Sequence, residues 1–417
     1  MHHVIIGNSA AGIRAAETLR YLDPVSDISI ISEEDIHAYS RCLLPDFLAG
    51  SRSEREIYFR PEDFYARNRI QTIFGSKAES IDPEQRRVLL DDGTRLSYDK
   101  LLIATGASST LPPIPGIDSP NVFGLRHLRD ARNILKACAK ARRVVIIGAG
   151  FVGLEAATAL YRQGLEVTVV EKMPQILPQQ FDTLAADIIL QDIQAEGIRF
   201  VLGRGIKEIS PPSVWGRIFS NPGCGVVLED GTRLKAEVII IAAGTRPNVE
   251  VALSAGIKIN RGIPVNDFME TNVPHIYAAG DVAETKDVVT GQTGLTPIWP
   301  NASAQGRTAA YNMVGHPKAY GGMIGLQNAV EFRDVPAIAM GISRPAGADY
   351  QVLSSYHPEK NRYKKLVLLN DRLVGMILVG DIHQAGIYGA LIKNKASVSR
   401  FNDLLLRDDF SYGYLAT

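Results

Sequence analysis

Apolar positions along this chain fall into two rhythms. Short unbroken runs, such as VVII at 144–147 and VIIIAA at 238–243, have the length of a strand buried on both faces. Other stretches carry small and apolar residues at helical spacing. The two rhythms join twice. HVIIGNSAAGIRAAETL near the N-terminus and VVIIGAGFVGLEAATAL at 144–160 each predict a strand, a glycine turn and a helix. An offset of 141 residues carries Gly7 onto Gly148 and Gly12 onto Gly153. A second pair repeats nearly in step, VLLDDGTRLSYDKLLIATGA (88–107) and VVLEDGTRLKAEVIIIAAGT (226–245), at an offset of 138. Each has a hairpin signal, Asp92-Gly93 or Asp230-Gly231, before an apolar strand that ends at glycine. Further on, KKLVLLNDRLVGMILVG predicts a hairpin turning at Asn370-Asp371, then a helix from about Ile382 to Lys393. The pattern is that of an α/β chain built on a duplicated unit.

Each glycine turn has a chemical use. The first glycine lets strand turn sharply into helix, the second position lets backbone approach a pyrophosphate, and the last lets helix and strand pack closely. The helix then offers unpaired N–H groups to phosphate. The second copy is complete at Gly148, Gly150 and Gly153, with Phe151 and Val152 between. The first has Gly7 and Gly12 with Ala10 and Ala11, but Ser9 stands in place of the middle glycine. An acid after the next strand is placed to bind an adenosine ribose. In the first copy Glu33 or Glu34 suits, and in the second Glu171. A carboxylate at Glu171 repels a 2′-phosphate, which favours NADH over NADPH, and Lys172 moderates that preference.

Composition narrows the class without adding chemistry. A chain of 417 residues, 46% hydrophobic and 22% charged, has room for two or three cores and is not disordered, collagenous or coiled-coil. Lys+Arg 45 against Asp+Glu 45 gives no reason to expect nucleic acid or an anionic membrane. The apolar runs are too short to span a bilayer. The first strand starts almost at Met1, leaving no room for a signal peptide, and three scattered cysteines suit a reducing cytoplasm.

At this point the motifs carry a resemblance. GNSAAG at 7–12, YSRCLLPDFLAG at 39–50, ATG at 104–106, GAGFVGLE at 148–155, GTRPN at 244–248 and IYAAGDVA at 276–283 occur in an order that resembles the pyridine nucleotide–disulfide oxidoreductase superfamily. Closest in character are the NADH-dependent rubredoxin and ferredoxin reductases and the flavin modules of assimilatory nitrite reductases. The resemblance implies two Rossmann-like domains: an FAD domain at 1–111 and 246–316, split by an NAD domain at 112–245. A C-terminal α+β interface-type domain at 317–417 would follow. It further implies that Thr105, Gly106, Gly280 and Asp281 face FAD, with Asp281 accepting from a ribityl hydroxyl, and that Gly244 faces NAD. Electrons would pass from NADH through flavin to rubredoxin, ferredoxin or an iron–sulfur partner subunit, in a monomer or homodimer. A helix starting near Pro300 would aim its positive end at the flavin pyrimidine, with Trp299 near the ring or in the core.

The resemblance also sorts single residues. A glutamate at Glu155 would lie near nicotinamide and flavin; otherwise it is a first-turn acid favoured by the helix dipole. Arg41 matches an arginine that contacts FAD, while Asp46 departs from the lysine many ferredoxin reductases carry there. The segment Ser40-x-Cys42-x-x-Pro45 also resembles the single-cysteine segment of coenzyme A disulfide reductases and NADH peroxidases, so an NADH oxidase or disulfide reductase using Cys42 is the rival reading. No CxxxxC pair is present, and Cys138 and Cys224 follow no pattern. His2 and His3 are expected to face solvent. The basic, aromatic-bearing stretch Arg52–Arg69 reads as a solvated amphipathic helix or a docking face for an acidic partner. A nucleotide sensor without turnover is the reading from another class.

Overall fold

The computed structural model describes residues 1–210 and 224–415, and the side chain of Cys224 lies outside what is described. These residues form two compact units. One comprises Met1–Ser40, Glu54–Ser108 and Arg246–Gly325; the other comprises Arg41–Ser53 and the described residues of 109–245 and 326–415.

The first unit is built on strand His2–Ile6, the middle of a five-stranded sheet ordered 276–278, 100–103, 2–6, 27–32, 70–74 with every pairing parallel. Val4 and Ile5 are completely buried. Burying each side chain of that kind contributes about 1.5–3 kcal/mol, which is why the run is unbroken rather than alternating. His3 shares this burial, contrary to the expectation of a solvent-facing pair: it is 0% exposed, and His2 is half-buried against Ser29. Burial holds the His3 imidazole below its ordinary range, so it behaves as a neutral core residue beside Asp23, 3.7 Å away. Helix Ala10–Leu22 covers one face, and its small residues admit helix Trp299–Met313 to close contact.

The basic, aromatic stretch does not form the long helix its pattern suggests. Only two separate single turns are helical, a 3-10 turn at Arg55–Ile57 and an α-turn at Phe64–Arg67. Phe64 and Tyr65 are buried, Phe59 packs edge-on against Trp299, and Arg60 grips Glu17 at 2.6 and 3.0 Å. Tertiary burial of the rings overrides a helix too short to stand alone.

The second unit repeats the plan. Its parallel sheet runs 199–202, 166–171, 143–147, 238–241, 122–124. Each unit also carries a three-stranded meander, 78–82/87–90/95–97 and 206–210/224–228/233–236. Their hairpin turns match: Asp92 accepts from the Thr94 N–H at 2.8 Å and Asp230 from the Thr232 N–H at 2.9 Å. The C-terminal sheet, ordered 327–331, 336–341, 372–379, 362–369, 351–357, turns at Asn370 and Asp371, both at positive φ, and precedes helix Ala385–Asn394. It is fastened within its unit by Asp182, the cap of helix Thr183–Glu196, which accepts from Tyr363 and Lys365, each at 2.9 Å. Residues 41–53, which the motif order assigns to the FAD portion, also belong here. Arg41 donates to the Arg126 carbonyl and Gln163 to the Ala49 carbonyl.

Candidate functional site

In both sheets strand order reverses beside the central strand, so each unit has a crevice at the carboxyl ends of its strands where a doubly wound fold binds ligands. In the first unit this crevice gathers Gly7, Ser9, Thr105, Gly106, Gly280 and Asp281. In the second it gathers Gly148, Gly150, Glu171 and Gly244.

The two glycine turns differ from ordinary tight packing in one respect. A Cβ on Gly12 would lie 1.9 Å from the Gly7 oxygen, and one on Gly153 would lie 2.0 Å from the Gly148 oxygen. Those two glycines serve close approach. Gly150, by contrast, has nothing within 4 Å of where a Cβ would stand. Helices Ala10–Leu22 and Phe151–Arg162 both begin without a side-chain cap and without an acid in the first turn. Their first N–H groups and positive ends are left for an anion, which is what a pyrophosphate requires. Ala10 and Ala11 are buried on the first helix; on the second, Phe151 is half-buried and Val152 exposed.

The acids after the second strands are not equivalent. Strand register sets Ile31 opposite Ile6 and Val170 opposite Ile147, so Glu171 corresponds to Ser32, and Glu33 and Glu34 lie one and two residues beyond. Glu171 accepts from the backbone N–H groups of Ala149 and Met173, each at 2.8 Å, which fixes its carboxylate beside the glycine turn. Glu34 receives the Tyr39 hydroxyl on both oxygens, at 3.1 and 3.0 Å, while Glu33 is exposed.

Three polar anchors brace the first crevice, and sequence reading assigned a role to none of them. Asn8 accepts from the Tyr65 hydroxyl at 2.7 Å, and burial pushes that phenol up to about 12, so it stays a donor. Asn248, the last residue of GTRPN, accepts from the Thr105 hydroxyl at 2.7 Å, donates to the Thr105 carbonyl at 3.0 Å and donates its backbone N–H to Gly106 at 3.0 Å. Gln305 accepts from the Gly280 N–H at 2.7 Å. The motif spacing pointed at the turns; each brace joins residues far apart in sequence, Asn8 to Tyr65, Asn248 to Thr105 and Gln305 to Gly280. Helix Trp299–Met313 starts with Pro300 in its first turn, as expected, and half-buried Trp299 is edge-on to Phe59.

In the second unit Glu155 is the fifth residue of helix Phe151–Arg162, beyond the first turn, so the helix dipole does not account for it. Burial, and after it the charge of Asp46, pushes Glu155 up to about 7. Asp46 lies on helix Leu44–Leu48, which packs against the Glu155 helix. Arg41 donates to the Arg126 carbonyl and to Nδ1 of His127, both at 2.9 Å. Cys42 is exposed in the short turn Arg41–Leu43, whereas burial pushes the Cys138 thiol up to about 11 and out of reactive range. Among the described residues no group of three or more His, Cys, Asp or Glu could hold a metal, and no helix is long and apolar enough to cross a membrane.

Comparison with known proteins agrees with this geometry. A family model described as pyridine nucleotide-disulphide oxidoreductase matches residues 1–306, and one described as rubredoxin NAD+ reductase C-terminal domain matches residues 328–396. The assimilatory nitrate reductase electron transfer subunit of Bacillus subtilis (strain 168) is 34% identical over 91% of this chain, which spans only 47% of that protein. The NADH-dependent phenylglyoxylate dehydrogenase subunit epsilon of Aromatoleum evansii is 31% identical, over 99% of this chain and 96% of its own length. Among solved structures, a ferredoxin reductase from Rhodopseudomonas palustris superposes with TM-score 0.89 at 28% identity, covering 100% of both chains.

Proposed function

Because the chain belongs to the pyridine nucleotide-disulphide oxidoreductase family, whose members use FAD and NAD(H), we propose that its first unit holds FAD and its second NADH. Electrons then leave for a small iron–sulfur or rubredoxin-type protein. The observation that carries this reading is the duplication: two doubly wound sheets, each with an uncapped, acid-free helix start facing the crevice. FAD supplies a ring that takes up electrons in pairs as hydride and returns them singly.

The chain's own residues supply grip, orientation and a proton. The first-turn N–H groups of helices Ala10–Leu22 and Phe151–Arg162 receive the two pyrophosphates, and the open space before Gly150 admits one of them to the backbone. Glu171, held by two backbone N–H groups, accepts from the ribose hydroxyls of NADH and disfavours a 2′-phosphate. In the first unit Glu33 or Glu34 takes the ribose, Glu33 exposed and Glu34 steadied by the Tyr39 hydroxyl. Thr105, Gly106 and Asp281 line the flavin side, braced by Asn248 and Gln305. Glu155, with its midpoint near neutrality, holds a proton on the nicotinamide side. Arg41 acts through its tie to Arg126 and His127, positioning the segment that bears Cys42 and Asp46.

The supporting names among relatives are an electron transfer subunit, a dehydrogenase subunit and a ferredoxin reductase, all of which suit a protein acceptor. The test is an anaerobic titration of the purified chain with NADH, then a panel of rubredoxin, ferredoxin, oxygen and coenzyme A disulfide. Rapid bleaching of bound flavin and preferential turnover with a protein carrier are expected. A flavin that stays oxidised in excess NADH overturns the reading.

A further inference from the structure

We propose that Gln305 is a positioning residue of the flavin site, its buried amide fixing the Gly280-Asp281 turn against the first cradle helix. The proposal rests on the reading that the first unit holds FAD. Gln305 sits mid-helix in Trp299–Met313 and is 1% exposed. Its amide is spent in two directions. The oxygen accepts from the Gly280 N–H at 2.7 Å, and the nitrogen donates to the hydroxyls of Thr285 at 3.0 Å and Thr296 at 3.4 Å. Both threonines are themselves buried, and their hydroxyls lie 3.4 Å apart. An apolar side chain of equal length would fill this space but leave the buried Gly280 N–H without its acceptor, so the amide specifies direction as well as filling.

The next residue completes the device. A Cβ on Gly306 would lie 2.1 Å from the Ala11 oxygen, so the helix bearing Gln305 is pressed onto the backbone of Ala10–Leu22 just past its start. Gly280, at φ +87°, is also close to that helix: a Cβ there would lie 3.2 Å from the Ala11 Cβ. Two consecutive residues, Gln305 and Gly306, therefore set both the distance of the turn from the phosphate-binding helix and its rotation. Asp281 follows Gly280 directly, and its carboxylate inherits that rotation. If Gly280 swung away, the Gln305 oxygen would be left buried without its donor.

The experiment uses the full-length holoenzyme. Gln305→Met removes the amide at nearly constant volume, and Thr285→Val removes one hydroxyl that orients it. Ile30→Val, a fully buried position on strand Asp27–Ser32, serves as a control that loosens the same unit elsewhere. FAD release on dilution, the flavin midpoint potential and amide exchange at Gly280 and Asp281 are measured beside Tm. Gln305→Met is expected to weaken FAD binding about tenfold, shift the potential and speed exchange at the two amides, with Thr285→Val in the same direction but smaller. Ile30→Val is expected to lower Tm with parental FAD affinity and potential. The proposal is overturned if Gln305→Met and Thr285→Val retain parental FAD affinity and potential, or if Ile30→Val loses both equally. A parent chain that binds no FAD overturns the underlying reading as well; one that binds FAD with indifferent variants overturns the proposal alone.

Discussion

A single proton tests the residue scale. Glu155 is pushed up to about 7 by burial and by Asp46, whereas an unfolded glutamate titrates near 4.5. The folded chain therefore keeps this proton through an interval in which the unfolded chain has released it. The stability it contributes is whole below that interval and is lost as pH rises through about 7. Glu155→Gln, which never ionises, is expected to gain in Tm over the parent at pH 8 and to gain less at pH 5. Asp46→Asn removes the second cause, so the pH profile of flavin reduction by NADH is expected to move to lower pH; an unmoved profile would dissociate Asp46 from Glu155. The sequence made Glu155 legible through its place after the glycine turn, but not its protonation. That depends on a helix more than a hundred residues upstream packing against it. His3 departs from its expected exposure for a related reason: a histidine in a first strand looks solvated until helix and sheet enclose it. Ribose acids sat at an intermediate level of legibility. Spacing offers Glu171 alone in the second copy and leaves Glu33 and Glu34 open in the first, where only strand register and the Tyr39 hydrogen bonds tell those two apart.

At the scale of elements, the strand–turn–helix units and the meanders were readable because their periodicities are strong and occur twice. Neither the braces nor the short helices were readable. Asn8 and Asn248 lie inside motifs whose pattern does not single them out, Gln305 has no motif, and the aromatic stretch departs from the helix it suggests because burial of individual rings does not follow a period. The glycines allow a clean separation of folding from binding. Gly153→Ala puts a Cβ 2.0 Å from the Gly148 oxygen and must shift backbone, so Tm should fall markedly and NADH binding with it. Gly150→Ala meets nothing within 4 Å and sits at φ −80°, which alanine adopts freely. Its Tm is expected to stay at the parental value or rise slightly, while KM for NADH rises several-fold because the methyl intrudes where the pyrophosphate approaches. Equal effects of the two substitutions on Tm would remove the case for an open phosphate cradle in front of Gly150.

At the scale of the whole molecule, two routes by which reducing equivalents leave the flavin make different demands on the chain. A route through thiol chemistry needs a reactive sulfur, and the described residues supply one candidate: Cys42 is exposed, whereas burial keeps the Cys138 thiol protonated. Cys42 sits between Arg41 and the helix that carries Asp46, on a segment held within the second unit by the Arg126 carbonyl and the Gln163 amide. Exposure alone does not require a redox role. An electron-transfer route to a protein carrier asks nothing of this sulfur. Cys42→Ser, nearly equal in size, separates the two. With rubredoxin or ferredoxin as acceptor its kcat and KM are expected to match the parent, measured by carrier reduction under anaerobic conditions. With coenzyme A disulfide, whatever turnover the parent shows is expected to disappear, since a hydroxyl cannot take the mixed-disulfide step. Loss of carrier reduction in Cys42→Ser, with flavin still bleached by NADH, would place the sulfur on the main route and make the disulfide-type reading the better one.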